Sequence, residues 1–183
     1  PDHREGLTHI LKTFPVARLL TAVPPSDLPA EWNTLLQRRQ IRVEPLHPGW
    51  QDVGPDEGHR IDLFVPDQVA ANLNDRSISI YAGLGSDGLL LTGDIEEEGI
   101  RQLSEAGIPE QVTLLKIPHH GSRSSNPGPL LEACLIREAV ISCGYRNNHG
   151  HPHRSTLQLL QRHQVRLWRT DRDGTILFSS TGS

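Results

Sequence analysis

QVTLLKIPHHGSRSS, residues 111–125, decides how this chain is read. Val112 to Ile117 is an apolar run of strand length, interrupted only by Thr113 and Lys116. It ends at Pro118, which has no N–H to give a ladder, and opens into a loop of histidine, glycine and serine. A buried strand that delivers such side chains into a loop suits an α/β protein, in which functional groups sit on loops held by a rigid scaffold.

Upstream, LLLTGD at residues 89–94 has the same form, an apolar run followed by a turn that carries an acid. Ser77–Leu84 and Leu89–Gly93 flank GSDG and predict a hairpin entering the core. After Asp94, EEEGIRQLSEAG predicts a short surface helix: three glutamates in its first turn suit the helix dipole, and Ile100 and Leu103 share a face. Downstream the pattern predicts a helix over Pro129–Leu135, a strand over Ala139–Cys143 and the loop NNHGHPH at Asn147–His153. A helix over Ser155–Arg162 and strands over Val165–Thr170 and Thr175–Ser179 follow.

Toward the N-terminus the reading is a helix over Arg4–Lys12, a strand over Ala17–Val23, a helix over Leu28–Arg39 and a strand over Ile41–Leu46. HPGWQDVGPDEGH, from His47 to His59, predicts a loop, followed by a strand over Ile61–Val65. Roughly eight strands interleaved with four short helices predict an α/β architecture with some neighbouring strands antiparallel.

At 183 residues and 36% hydrophobic content, the chain predicts a single domain over 1–183. A formal charge of -4 offers no global positive field, so phosphate binding has to come from a local site or from metals. Cys134 and Cys143 form no CxxC knuckle and read as two buried thiols. No run reaches the about 18 apolar residues of a membrane span, and PDHREG has no signal-peptide character.

Five of the ten histidines lie between His119 and His153. TGD at Thr92–Asp94, PHHGSRSS at Pro118–Ser125 and NNHGHPH at Asn147–His153 each follow an apolar strand, so all three can meet at one sheet edge. Asp94, His119 or His120, and His151 offer the carboxylate and imidazole donors of a divalent metal. Each has a blander reading: Asp94 and Glu97 have capping-box spacing, His-His-Gly suits a solvated turn, and His151 before Pro152 suits a helix lead-in. A cap, a turn and a lead-in have no reason to recur as Asp or His after three buried strands, which favours the metal reading. Lys116, Ser122, Arg123, Ser124 and Arg146 stand near enough in sequence to receive a phosphate. His9, His47, His59 and His163 read as surface or satisfied histidines, with His149 and His153 intermediate.

LLLTGD, LLKIPHHGSRSS, AVISCGYRNNHGHPHRSTLQLL and WRTDRDGTILFS together resemble the metallo-β-lactamase-like domain at the C-terminus of the ComEC/Rec2 competence proteins, membrane channels for DNA uptake. The resemblance runs from about Asn74 to Ser179 and includes NDRSISI, the strand before the GD loop. It implies an αββα sandwich with a dinuclear site of two divalent ions, and histidine and carboxylate donors without thiolate suit manganese and zinc alike. The family's early H-x-x-x-D-H-x-x-G segment is matched only by Asp2, His3 and Gly6, which implies that the N-terminal part of the domain precedes Pro1.

By resemblance Asp94 bridges the ions, Asp2, His3 and His151 serve one of them, and His120 serves the other. His119 then contacts the phosphate or assists proton transfer, and the roles of the two adjacent histidines can be exchanged. The implied activity is a metal-dependent nuclease that degrades the non-imported strand of DNA, in a soluble domain on the extracytoplasmic side of a polytopic membrane channel protein. Two alternatives stay open: a catalytically silent domain that guides DNA, and a hydrolase of a small phosphodiester.

Overall fold

The computed structural model describes residues 5–54, 60–67 and 72–179. They gather into two compact units, residues 1–47 and 48–183. In the first unit, α1 (Glu5–Thr13) precedes a β-α-β segment: β1 (Arg18–Thr21), α2 (Ala30–Arg38) and β2 (Arg42–Pro45). β1 and β2 pair in parallel, as strands joined by a helical crossover do. Trp32 and Leu36, one turn apart on α2, bury against Leu11, Leu28 and Ile41. The Trp32 indole N–H donates to Thr8 Oγ1 at 3.0 Å, so burial of the ring leaves its polar edge satisfied.

The second unit is a seven-stranded sheet whose strands lie side by side in chain order. They are β3 (Gly49–Asp52), β4 (Ile61–Val65), β5 (Ser79–Leu84), β6 (Asp87–Leu91), β7 (Val112–Lys116), β8 (Glu138–Ile141) and β9 (Arg166–Arg169). Pairings from β3 to β6 are antiparallel; from β6 to β9 they are parallel. Helices α3 (Glu97–Glu105), α4 (Gly128–Ala133) and α5 (Arg154–Arg162) make the three parallel connections, and the single turn α6 (Thr170–Asp173) follows β9. The α/β expectation holds as a mixed sheet with helices.

Leu90, Val112, Leu115, Ile117, Ala139 and Ile141 lose all contact with solvent, and Ile100, Leu103, Leu130 and Leu160 from the helices join the same core. Burying each such aliphatic side chain contributes about 1.5–3 kcal/mol. Because β6, β7 and β8 are parallel, the loops that leave their carboxyl ends emerge at one edge of the sheet. Those loops contain residues 92–94, 118–125 and 142–153.

Two elements depart from the sequence expectation. Part of the predicted His47–His59 loop is strand β3: Trp50 pairs with Phe64, their ring centroids are 5.4 Å apart, and the Trp50 indole donates to Gly107 O at 2.7 Å. Four residues among Pro, Gly and Asp carry no periodic signal, so pairing with β4 and the tryptophan anchor make this strand. Thr175–Ser179, predicted as a strand, has no regular structure. Asp173 Oδ2 accepts from Arg169 N at 2.8 Å and Gly174 follows at φ 70°, which turns the chain out of the ladder. Leu177 is then left 90% exposed.

Helix α3 is capped from a distance. Its N-cap residue is Glu96 with no side-chain cap of its own, so the Asp94–Glu97 spacing is not used as a capping box. Buried Asp75 instead accepts from the backbone N–H of Glu96 at 2.7 Å and of Gly99 at 2.8 Å. A side chain at Gly99 would meet Ile95 Cβ at 2.8 Å and Asp75 Oδ1 at 3.0 Å, so glycine makes this approach possible. Asp75→Ala leaves both donors buried and unsatisfied, and is expected to cost about 2 kcal/mol of stability. Urea unfolding should show a lower midpoint at unchanged slope; an unchanged midpoint would remove Asp75 from this role.

Candidate functional site

The Thr92–Asp94 turn leaves β6 through Gly93, at φ 60°, where an added Cβ would stand 2.8 Å from Ser77 Cβ. Asp94 N donates to Ser77 Oγ at 3.3 Å, and Gly93 O accepts from His119 N at 3.2 Å, which ties this turn to the loop after β7. Lys116 lies beneath both, its ammonium 3.4 Å from the carbonyls of Gly93 and Ile117. Burial pushes its pKa down, against the pull of Asp94.

His119 and His120 both adopt left-handed backbone, at φ 44° and 55°. Non-glycine residues pay about 1–2 kcal/mol each for this conformation. The surroundings offset it: Ser122 N donates to His119 O at 2.9 Å, Ser125 Oγ to Pro118 O at 3.2 Å, and His153 N to Gly121 O at 2.8 Å. Gly121, itself at φ 78°, has room only for hydrogen, since a Cβ would meet Pro152 Cβ at 2.8 Å. The loops after β7 and β8 are thereby packed together, and strain held at adjacent histidines is characteristic of functional segments.

The left-handed turn sends the two imidazoles to different partners. His120 Nδ1 lies 2.5 Å from the carbonyl of Ser142, an acceptor only, so Nδ1 carries the proton and donates. Nε2 then faces Asp94 Oδ1 at 3.6 Å. Ligand atoms held by one tetrahedral ion at about 2.0–2.1 Å lie about 3.4 Å apart, so the pair fits half a metal site, and the Ser142 carbonyl orients the imidazole from behind.

His119 Nδ1 lies 2.9 Å from Glu96 Oε1, close but too far off line for a hydrogen bond. Asn74 Nδ2 donates to Glu96 Oε1 at 3.0 Å and Asn72 Nδ2 to Oε2 at 2.7 Å. Burial raises the Glu96 pKa, but hydrogen bonds from Asn74 and Ser124 and the charge of His119 outweigh it and hold the carboxyl below its usual value.

His151 completes the cluster, its ring centroid 5.8 Å from that of His119 and stacked on His149 at 5.8 Å and 17°. Burial first, then repulsion from the neighbouring imidazoles, lowers its pKa and favours the neutral form that a metal binds. Asn147 fixes the backbone beneath it: its side chain donates to His151 O at 2.7 Å and accepts from His151 N at 3.0 Å.

The structure therefore brings Asp94, His119, His120 and His151 to one edge. Among the described residues no set of three or more His, Cys, Asp or Glu side chains is assembled to hold an ion. Asp2 and His3 lie outside the described residues. Of the phosphate candidates, Ser122 and Ser124 pair at 3.0 Å inside the loop, Arg123 is exposed, and the Arg146 guanidinium lies 5.2 Å from the Tyr145 ring.

Sequence reasoning missed Glu96, which it read as one of three glutamates serving a helix dipole, and missed Asn72, which holds it. The available signal was the spacing GDIE: two residues beyond Asp94, a carboxylate re-enters the same loop cluster.

No family model matches the chain. It is 37% identical over 180 residues to ComE operon protein 3 of Bacillus subtilis, covering 97% of this chain and 23% of that protein. It is 33% identical over 106 residues to Competence protein ComA of Neisseria gonorrhoeae, covering 57% of the chain and 15% of that protein. It is 27% identical over 176 residues to Recombination protein 2 of Haemophilus influenzae, covering 96% of the chain and 20% of that protein. The chain thus spans less than a quarter of the length of each of these relatives, and the first and third matches run through both compact units.

Proposed function

This chain is homologous over most of its length to proteins of the ComEC/Rec2 competence family, and on that footing we propose that it is a metal-dependent phosphodiesterase, a DNA nuclease that degrades the non-imported strand during DNA uptake. The observation that carries the proposal is the Asp94–His120 pair, two electron-pair donors 3.6 Å apart with the imidazole tautomer set by Ser142 O. The pair sits outside the carboxyl ends of parallel strands, where open α/β sheets bind their ligands. In this reading the mixed sheet belongs to a metallo-β-lactamase αββα sandwich.

Asp94, His120 and His151 would be ligands of two divalent ions, manganese or zinc; Asp2 and His3, the other donors that the resemblance implies, lie outside the described residues. Bound there, such ions supply Lewis acidity toward a phosphoryl oxygen and a water acidic enough to ionise near neutral pH. The chain's own groups do the rest. His119, steadied by Glu96, moves a proton at a phosphate or leaving oxygen. Arg123 and Arg146 draw the backbone of the substrate in, and Ser122 and Ser124 keep the loop around His119 closed. No helix among the described residues is long and apolar enough to cross a membrane. By the same reading this segment is a domain on the extracytoplasmic side of a membrane channel for DNA.

The test is cleavage of end-labelled linear DNA with manganese, zinc or a chelator. Cleavage with metal and none with chelator is the expected result. Intact DNA throughout, with binding that is independent of metal and weakens steeply with salt, would instead identify a silent domain that guides DNA.

A further inference from the structure

Beside the Asp94–His120 pair lies a pocket of about 250 Å3, walled by His120, Cys143, Gly144, Asn147, His149 and His151. One side of it is the loop that leaves β8. Tyr145 projects from that loop 73% exposed, with the Arg146 guanidinium 5.2 Å from its ring. An exposed tyrosine on a floppy loop would be unremarkable surface, but this loop is built. Asn147 donates from its side chain to both Gly144 O and His151 O, and Asn147 N and Gly150 N turn back onto Gly144 O and Asn147 O. Arg146 is held at φ 52°, a left-handed backbone that arginine resists. The aromatic face therefore stands on a built loop whose Gly144 and Asn147 line the pocket together with His120.

The loops after β7 and β8 carry basic residues and no acid, while Asp94 and Glu96 stand at the same edge on the segment after β6. The chain has a formal charge of -4, yet it carries no Asp or Glu between Glu110 and Glu132 or between Glu138 and Asp171. Those stretches supply the loops after β7 and β8, two of the three at this edge, with Lys116, Arg123, Arg146 and Arg154. An aromatic face with cations beside it and no acids in its own loops matches a polyanion that carries flat rings.

We propose that the Gly144–Gly150 loop is a stacking platform: an unpaired nucleobase lies against Tyr145 while the adjoining phosphate reaches the Asp94–His120 pair. The site then takes single strands or frayed ends in preference to duplex interior, where every base face is already covered by its neighbours. This inference rests on the nucleic-acid reading above. Stacking tolerates any base, so the preference is for unpaired structure and not for sequence.

The experiment is fluorescence anisotropy of the 183-residue chain with three probes in chelator: labelled oligothymidylate, an abasic oligonucleotide of equal length, and a hairpin duplex. The expected result is tighter binding of oligothymidylate than of either other probe, by about tenfold. Tyr145→Ala should erase the difference and Tyr145→Trp should keep it, with circular dichroism confirming that both variants fold. Equal affinity for the base-bearing and abasic strands, or a preference that survives Tyr145→Ala, overturns the platform. If metal-dependent cleavage of oligothymidylate persists in that case, the nuclease reading stands without it. If no probe binds and none is cleaved, both fall.

Discussion

Asp94→Ala is expected to lower metal-dependent cleavage of DNA by more than about 100-fold while leaving the unfolding temperature nearly unchanged. Loss of a residue that merely orients a metal ligand already costs about 10–100-fold, and Asp94 is a proposed ligand itself. Its place in the fold does not depend on the carboxylate. The Thr92–Asp94 turn is set by Gly93 and by backbone hydrogen bonds to Ser77 and His119, all of which alanine keeps. Cleavage rates and calorimetric titration with manganese or zinc, run side by side, separate the effects. A variant that still cuts DNA in a metal-dependent way would show that the ions are held elsewhere.

Glu96→Ala is expected to reduce the rate constant for cleavage by about 10–100-fold with a smaller change in KM, and Glu96→Gln should recover part of the loss. The carboxylate is anchored on its far side by Asn72 and Asn74 and offers its charge to His119 at 2.9 Å. Alanine removes both the charge and the oxygens that Asn72 and Asn74 hold; glutamine keeps one such oxygen and the side chain's place beside His119 without the charge. A role that is only structural would depress stability equally and give no graded recovery of rate. If Glu96→Ala cleaves as fast as the parent chain, His119 needs no partner and its role in proton movement is wrong.

The parallel half of the fold was legible because its strands are nearly uninterrupted apolar runs separated by helix-length spacers, and that spacing puts the three loops at one edge. β3 was not legible, since a four-residue strand among turn formers exists only through its partner strand. The tail at Thr175–Ser179 failed for the opposite reason: it has strand-like residues, but α6 and Gly174 carry it away from the sheet. At the site, the histidines and Asp94 stood out by residue type, whereas Glu96 was hidden by an adequate local explanation. The roles of the two adjacent histidines cannot be separated by spacing. Only the left-handed turn, which sends His120 toward Asp94 and His119 toward Glu96, distinguishes them.

That turn also bears on how the chain trades robustness for chemistry. At positions 119 and 120 the backbone alone would favour glycine, as at Gly93 and Gly121 on either side of the cluster. A lineage selected only for resistance to heat would drift toward glycine there and become more durable as it lost its imidazoles. Exchanging either histidine for glycine would relieve the backbone at the cost of the imidazole that faces Asp94 or Glu96, so a thermostable derivative has to find its gains elsewhere in the sheet.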